Sequence, residues 1–263
     1  MRSPSYKASY RGKFPRCHAF YRWAKNIFDP VAAGHAARAL AWYWRDWRKY
    51  SRLPGAENLR FVDSNPQLFD RTDVTPFDAH YYYLSGWAMR RIVQSKAAQH
   101  VDVGSLVIFS NLLGAVMPVT FVDYRPLEAK LTGLTSVGGS ILDLPFESGT
   151  VKSLSCLHVA EHIGLGRYGD PLDPLGTAKA AGELARILAP SGNLFFALPV
   201  GHPRVCFNAH RVHSPETVPR YFPGLELVEF SMVNDDGAFV EKAPPATAAD
   251  CHYACGMYWF TKR

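Results

Sequence analysis

HVDVGSLVIFSNLLGAVMPVTFVDYRP, residues 100–126, is the stretch on which the fold turns. It opens on a short apolar run, HVDVGS, that reads as a buried strand. It closes on a second strand, VTFVDYRP, that ends in the acidic residue Asp123. Working outward, the segment from about Asp78 to Lys96 has a helical pattern and leads straight into the first run. Downstream, residues 135–141 read as a short strand followed by LDLPF, and VKSLSCLHV reads as another strand. Gly176 to Leu188 is a helix with Ala180, Leu184, Ile187 and Leu188 on one face. Pro190-Ser191-Gly192 then turns the chain into the strand NLFFALPV. Ser214-Pro215-Glu216 has the composition of a helix start, with Ser as cap, Pro in the first turn and Glu favoured by the dipole. LELVEFSMV and HYACGMYWFTK are two late strands. Strand and helix alternating in this way predict an α/β fold, a mostly parallel sheet covered on both faces.

The ends of the chain differ in charge. The whole chain of 263 residues carries +6, but residues 1–60 hold 13 basic and 3 acidic side chains. The remainder is mildly acidic, so a basic, aromatic-rich head precedes a body of the opposite sign. From about Val31 to Ser51 the head is helical, with Leu40, Trp44 and Trp47 at spacings of four and three, Asp29 as cap and Pro30 at the first position. Trp42, Tyr43 and Trp47 with Arg45, Arg48 and Lys49 suit either an anionic membrane surface or a packed aromatic stripe with solvated cations. No apolar run reaches the length of a membrane span, and MRSPSYKASYRGKF has no signal-type apolar stretch, so a cytoplasmic location is expected. The five cysteines are scattered and read as reduced thiols.

In open parallel sheets the ligand sits at the carboxyl ends of the strands, near the point where strand order reverses. The residues just past each strand are therefore the candidates. Asp102, Gly104 and Ser105 follow the first, and Asp123 the second, where an acid commonly accepts from ribose hydroxyls. Asp143-Leu144-Pro145-Phe146 follows the third, and His158 with Glu161-His162 the fourth.

This succession resembles the class I S-adenosylmethionine-dependent methyltransferases. In that family the Gly-rich turn takes the methionine part, the acid after strand two the ribose, and an Asp-x-x-Phe-like stretch the adenine. The resemblance implies S-adenosylmethionine as cofactor, with Asp102, Gly104, Ser105, Asp123, Asp143 and Leu144 around it. It implies a Rossmann-like methyltransferase domain over residues 96–263, preceded by a basic helical extension over 1–95. More specifically, SCLHVAEHIGLGRYGDP, ELARILAPSGNLFFALPVG and FNAHRVHSPE resemble a methyltransferase-like family first catalogued as a domain of unknown function in nematodes. Its bacterial members often accompany surface-polysaccharide genes, which implies a saccharide or other small polar acceptor. One departure stands out. The expected Asp-x-Gly-x-Gly-x-Gly reads Asp102-Val-Gly104-Ser105-Leu106-Val107, so only the first glycine is present.

Methyl transfer to a hydroxyl needs alignment and removal of a proton, which His158 or His162 is expected to perform. Arg167, Tyr168, His210 and Arg211 are expected to shape the acceptor side, and His80, Tyr81 and Tyr82 to line the cleft. His158-Val-Ala-Glu161-His162 also matches an inverted zinc-protease pattern. A strand end followed by Gly164, Gly166 and Gly169 does not sustain the helix that pattern needs. Cys251 and Cys255 are four apart with no second pair, so no metal site is expected. Two other readings remain. One is a degenerate Rossmann-like binding or scaffold protein, favoured by the missing glycines. The other is a nucleic-acid methyltransferase using the basic head, disfavoured by the absence of an Asn/Asp-Pro-Pro-Tyr/Phe motif.

Overall fold

A computed structural model describes residues 30–263. The polar start of the head and its expected cap, Asp29, lie outside the described residues. The chain divides into two compact units at Phe77/Asp78. The helix around residues 79–94 therefore belongs with the sheet, not with the extension to which residues 1–95 were assigned.

In the first unit α1, Pro30–Tyr50, ends with Arg48 and Lys49 in its last turn, where cations suit the helix dipole. Its aromatic rings pack within the unit. Trp44 stacks on Phe61 with centroids 6.1 Å apart, and the Arg71 guanidinium lies 4.3 Å from the Trp42 ring while bonding Asp46 at 2.8 Å. Among the described residues no helix is long and apolar enough to cross a membrane.

In the second unit Asp78 caps α2, Ala79–Gln94, by accepting from the Tyr81 amide at 3.2 Å. Leu84, Trp87, Ala88, Arg91 and Ile92 recur at helical spacing and form its buried face. β1, His100–Val103, is buried along its whole length, as a central parallel strand must be. Next come α3, Val107–Gly114, β2, Val119–Asp123, and β3, Leu134–Gly138. β4, Val151–Leu157, and α4, Gly176–Ile187, lead into β5, Leu188–Val200. A small antiparallel pair follows, β6, Arg204–Cys206, and β7, His210–Val212. The chain finishes with β8, Leu225–Val233, β9, Phe239–Val240, and β10, Ala254–Lys262.

The large sheet has the order β3-β2-β1-β4-β5-β10-β8-β9. β1 to β5 are mutually parallel, and β10 enters antiparallel between β5 and β8. Strand order reverses between β1 and β4, which opens the crevice there. Two cores lie on the two faces. Phe196, Tyr258 and Leu184 of α4 belong to one, and Phe195, Met257 and Trp87 of α2 to the other. Neighbours Phe195 and Phe196 point opposite ways because strand side chains alternate.

α2 is also fixed by polar contacts. Trp87 Nε1 donates to Glu229 Oε1 at 2.8 Å, Arg91 Nε to Glu229 Oε2 at 2.9 Å, and Arg91 Nη2 to Glu241 at 2.5 Å. Burial works against the Glu229 charge, but these donors hold its carboxyl below the usual range. One expectation fails. Ser214-Pro215-Glu216 does not open an α-helix, and only the single-turn 3₁₀ segment Val218–Tyr221 follows. The reason is that β8 begins at Leu225, and Gly224 with φ +92 turns the chain before a second turn can form.

Candidate functional site

The carboxyl ends of β1, β2 and β4 carry the predicted cluster, and β10 adds to it because its antiparallel start lies beside the end of β5. Cys255 pairs with Pro199 and Ala254 with Val200.

The β1 side is built on a buried hydroxyl network. Asp102 is fully buried and accepts from Ser105 Oγ at 2.6 Å, Ser110 Oγ at 2.6 Å and Ser155 Oγ. Burial pushes its carboxyl up from the usual range, while the serine hydroxyls pull against that. Ser155 continues to His100 Nε2 at 2.8 Å, and His100 Nδ1 meets Ser153 Oγ at 2.7 Å. Burial holds His100 at about 3, so its ring is neutral. The carboxylate of Asp102 is therefore turned inward, away from any ligand, and shapes the turn instead. Ser105 is also turned inward, since its hydroxyl additionally accepts from the Leu157 amide at 3.1 Å.

Gly104 and Asp123 stand together as expected. Gly104 has φ +65, and its amide donates to Val122 O at 2.8 Å. A Cβ there would stand 3.2 Å from Val159 Cγ1 and 3.6 Å from Asp123 Oδ2, so the glycine keeps a cradle open beside the carboxylate. Asp123 Oδ1 accepts from the Arg125 amide at 2.8 Å. Leu106 caps α3 without a side-chain bond and is 44% exposed, occupying the stretch where further glycines were expected. After β3, Asp143 is exposed, but Leu144 is a core residue whose amide donates to Glu183 at 2.7 Å. The expected ligand contact at Leu144 is thus corrected to packing.

The β4 side is dense in titratable groups. His158 directly follows β4 with φ +58, uncommon for a residue with a side chain and a form of strain found at working sites. Its amide is fixed by Ala197 O at 2.9 Å. Nδ1 lies 2.8 Å from Glu161 Oε1 and Nε2 lies 3.2 Å from Cys255 Sγ. Burial opposes charge on both groups, yet the Cys255 sulfur and Glu161 carboxylate hold the His158 imidazole well above its usual value. His158 in turn holds Glu161 below its own. Both ring nitrogens being engaged, His158 is not free to take a proton from an acceptor.

His162 is differently placed. Its Nδ1 lies 2.6 Å from Ala209 O, so that nitrogen carries the proton and Nε2 the lone pair. Burial lowers its pKa, which keeps the ring neutral. Arg167 Nη1 donates to the same carbonyl at 3.0 Å, and Tyr168 packs edge-on against His162 at 6.0 Å. Arg125 reaches across from the β2 loop to within 5.0 Å of the Tyr168 ring. Arg167 and Tyr168, expected on the acceptor side, thus stand beside His162. His210 also faces inward, 5.0 Å from Tyr253, and burial holds it at about 4. Arg211 does not join them. It is buried, donating to Ile163 O at 2.5 Å and Asp173 O at 2.9 Å, where it clamps the loop before α4.

From α2, His80 stacks on Tyr253 at 5.3 Å and faces His158 at 6.2 Å, while Tyr81 lies 5.6 Å from His158 and Tyr82 is exposed. Cys255 and Tyr253 were missed from sequence. No spacing rule ties them to His158, and only the insertion of β10 beside β5 brings them to this edge.

Residues 149–242 match the family model described as Caenorhabditis protein of unknown function, DUF268. The fold is that of the class I methyltransferases. The [4+2]-cyclase SpnF is 12% identical with a TM-score of 0.51, over 68% of this chain and 80% of that one. The N-methyltransferase NodS from Bradyrhizobium japonicum WM9, in complex with S-adenosyl-L-homocysteine, is 16% identical with a TM-score of 0.50, over 76% and 93%. The complex of the Haloferax volcanii Trm112 methyltransferase activator with a putative methyltransferase gives 14% and 0.50, over 70% and 90%. No curated protein matches the sequence.

Proposed function

We propose that this chain is an S-adenosylmethionine-dependent methyltransferase acting on an oxygen of a saccharide or another small polar acceptor. The observation that carries the reading is the Gly104 cradle against the Asp123 carboxylate, at the strand-order switch of a methyltransferase-type sheet. The cradle suits the cofactor because a side chain at Gly104 would fill it, and Asp123 offers an acceptor for ribose hydroxyls. Asp143, exposed after β3, extends that side. S-adenosylmethionine supplies an electrophilic methyl on sulfonium.

The chain's own work is to align an acceptor hydroxyl and take its proton. His162 Nε2 suits that task, since the ring is neutral and its other nitrogen is locked on Ala209 O. The Nε2 atom lies 3.7 Å from Glu161 Oε1, whose charge stabilises the imidazolium that forms. Arg167, Tyr168 and His210 border the same space and orient the acceptor.

Calorimetric titration with S-adenosylmethionine and S-adenosylhomocysteine tests the reading. Binding of both, weakened at least tenfold by Asp123→Ala in folded protein, is the expected result. A second reading, a Rossmann-like binding protein without catalysis, is favoured by Leu106 and Val107 in the glycine stretch. The same titration separates the two, because absence of heat with either compound at millimolar concentration would sink the enzyme.

A further inference from the structure

We infer that His80, His158 and Cys255 form a binding site for a zinc ion. One ligand atom from each lies within 4.8 Å of the others. A tetrahedral zinc, with nitrogen at about 2.0 Å and sulfur at about 2.3 Å, sets its ligand atoms about 3.3–3.6 Å apart. His158 Nε2 and Cys255 Sγ, at 3.2 Å, already stand near that edge length. A small inward movement of His80, on the first turn of α2, completes the third corner.

The surroundings fit a metal independently of that spacing. His158 gives its other nitrogen, Nδ1, to Glu161 Oε1 at 2.8 Å. A carboxylate behind a histidine is the usual support of a zinc-bound imidazole: it fixes the tautomer and leaves Nε2 to ligate. Glu161 is 1% exposed, and its second oxygen is buried with no hydrogen-bond partner among the described residues. Burying a carboxylate oxygen without a donor is costly. One zinc with its two positive charges, a Cys255 thiolate and the Glu161 carboxylate sum to zero, so the loaded pocket carries no net charge. Loading displaces the proton shared between His158 and Cys255 to solvent. The His158 backbone at this position is strained, with φ +58. Two nitrogens and a sulfur exclude magnesium and calcium, which take oxygen ligands. Three protein ligands leave a fourth position for water or an acceptor oxygen.

The site does not depend on the methyl-transfer reading, and its test uses no methyl donor. The reduced full-length protein, stripped with chelator, is titrated with cobalt chloride and then with zinc chloride. One cobalt per chain is expected, with a near-ultraviolet thiolate-to-cobalt band that zinc abolishes. Cys255→Ser should remove that band, and His80→Ala should weaken cobalt binding at least tenfold. Glu161→Gln should weaken it about 10- to 100-fold, while Cys251→Ser should leave it unchanged. His80 is at a helix start and only half-buried, so its variant keeps the test open if Cys255→Ser fails to fold. No thiolate band, or a band that survives both Cys255→Ser and His80→Ala, overturns the proposal.

Discussion

The two halves of the carboxyl edge use polar residues in opposite ways. Around β1 the acid is sealed. Asp102 gives its carboxylate to three serine hydroxyls, while Gly104 keeps open a space beside the Asp123 carboxylate. Around β4 the polar groups converge on one another: His158 is held between Glu161 and Cys255, and His162 sits against Ala209 and Tyr168. The first half is a scaffold that shapes a turn, and the second is a cluster of titratable groups in mutual contact. An acidic residue in a loop motif is thus no guide to its job until its partners are known.

The sharpest way to break this comparison is to remove the scaffold acid. Asp102→Ala leaves three buried hydroxyls without their acceptor, and about 3 kcal/mol of stability should be lost in urea unfolding. Asp123→Ala, at the edge of the crevice, should change stability by less than about 0.5 kcal/mol. Equal losses would erase the distinction. Next in size, His162→Ala should lower turnover of a methyl acceptor at least 100-fold, about 2.7 kcal/mol, with cofactor affinity retained. A parallel loss of affinity would make His162 a structural residue.

Acid should act on the buried histidines of both halves. Burial holds His100 at about 3 and His213 at about 4, both below the unfolded value. Between about pH 6.5 and those values the unfolded chain binds protons that the folded chain refuses, so stability falls as pH falls. For fully buried His100 the slope is about 1.4 kcal/mol per pH unit. His100→Asn should flatten that slope in pH-dependent unfolding, and an unchanged slope would assign the acid sensitivity elsewhere. A modest effect is expected of Gly104→Ala, which places a side chain at φ +65 beside Val159. A loss of about 1 kcal/mol is expected by thermal unfolding, with weakened S-adenosylmethionine binding.

Much of the sheet was readable in residues 100–126 and the runs after it, because each buried strand is a short apolar run closed by a turn or an acid. Gly104 beside Asp123 followed from the same reading, while the contact of Tyr168 and Arg167 with His162 had no local signal. What could not be read was set by strand order. Ser155 reaches Asp102 only because β4 lies next to β1, so the inward turn of that acid has no local signature. Cys255 is 97 residues from His158. Arg211 looked like a rim cation and is a clamp, since its acceptors are carbonyls of a loop some forty residues earlier. The unit boundary was missed for a similar reason. A helix before the first strand reads as an extension until Trp87 and Arg91 are seen bonded to Glu229, on a strand made much later.

The entry of β10 between β5 and β8 has a consequence for synthesis. A ribosome delivers β5 and β8 well before the strand that must separate them. Until Ala254–Lys262 emerges, one edge of β5 keeps its amides and carbonyls unpaired, alongside the apolar pair Phe195 and Phe196. The nascent chain therefore passes through a stage with an open, sticky edge, when premature pairing of β5 with β8 or with a neighbouring chain is the hazard. The last strand to arrive closes that edge and brings Cys255 to His158 in the same movement.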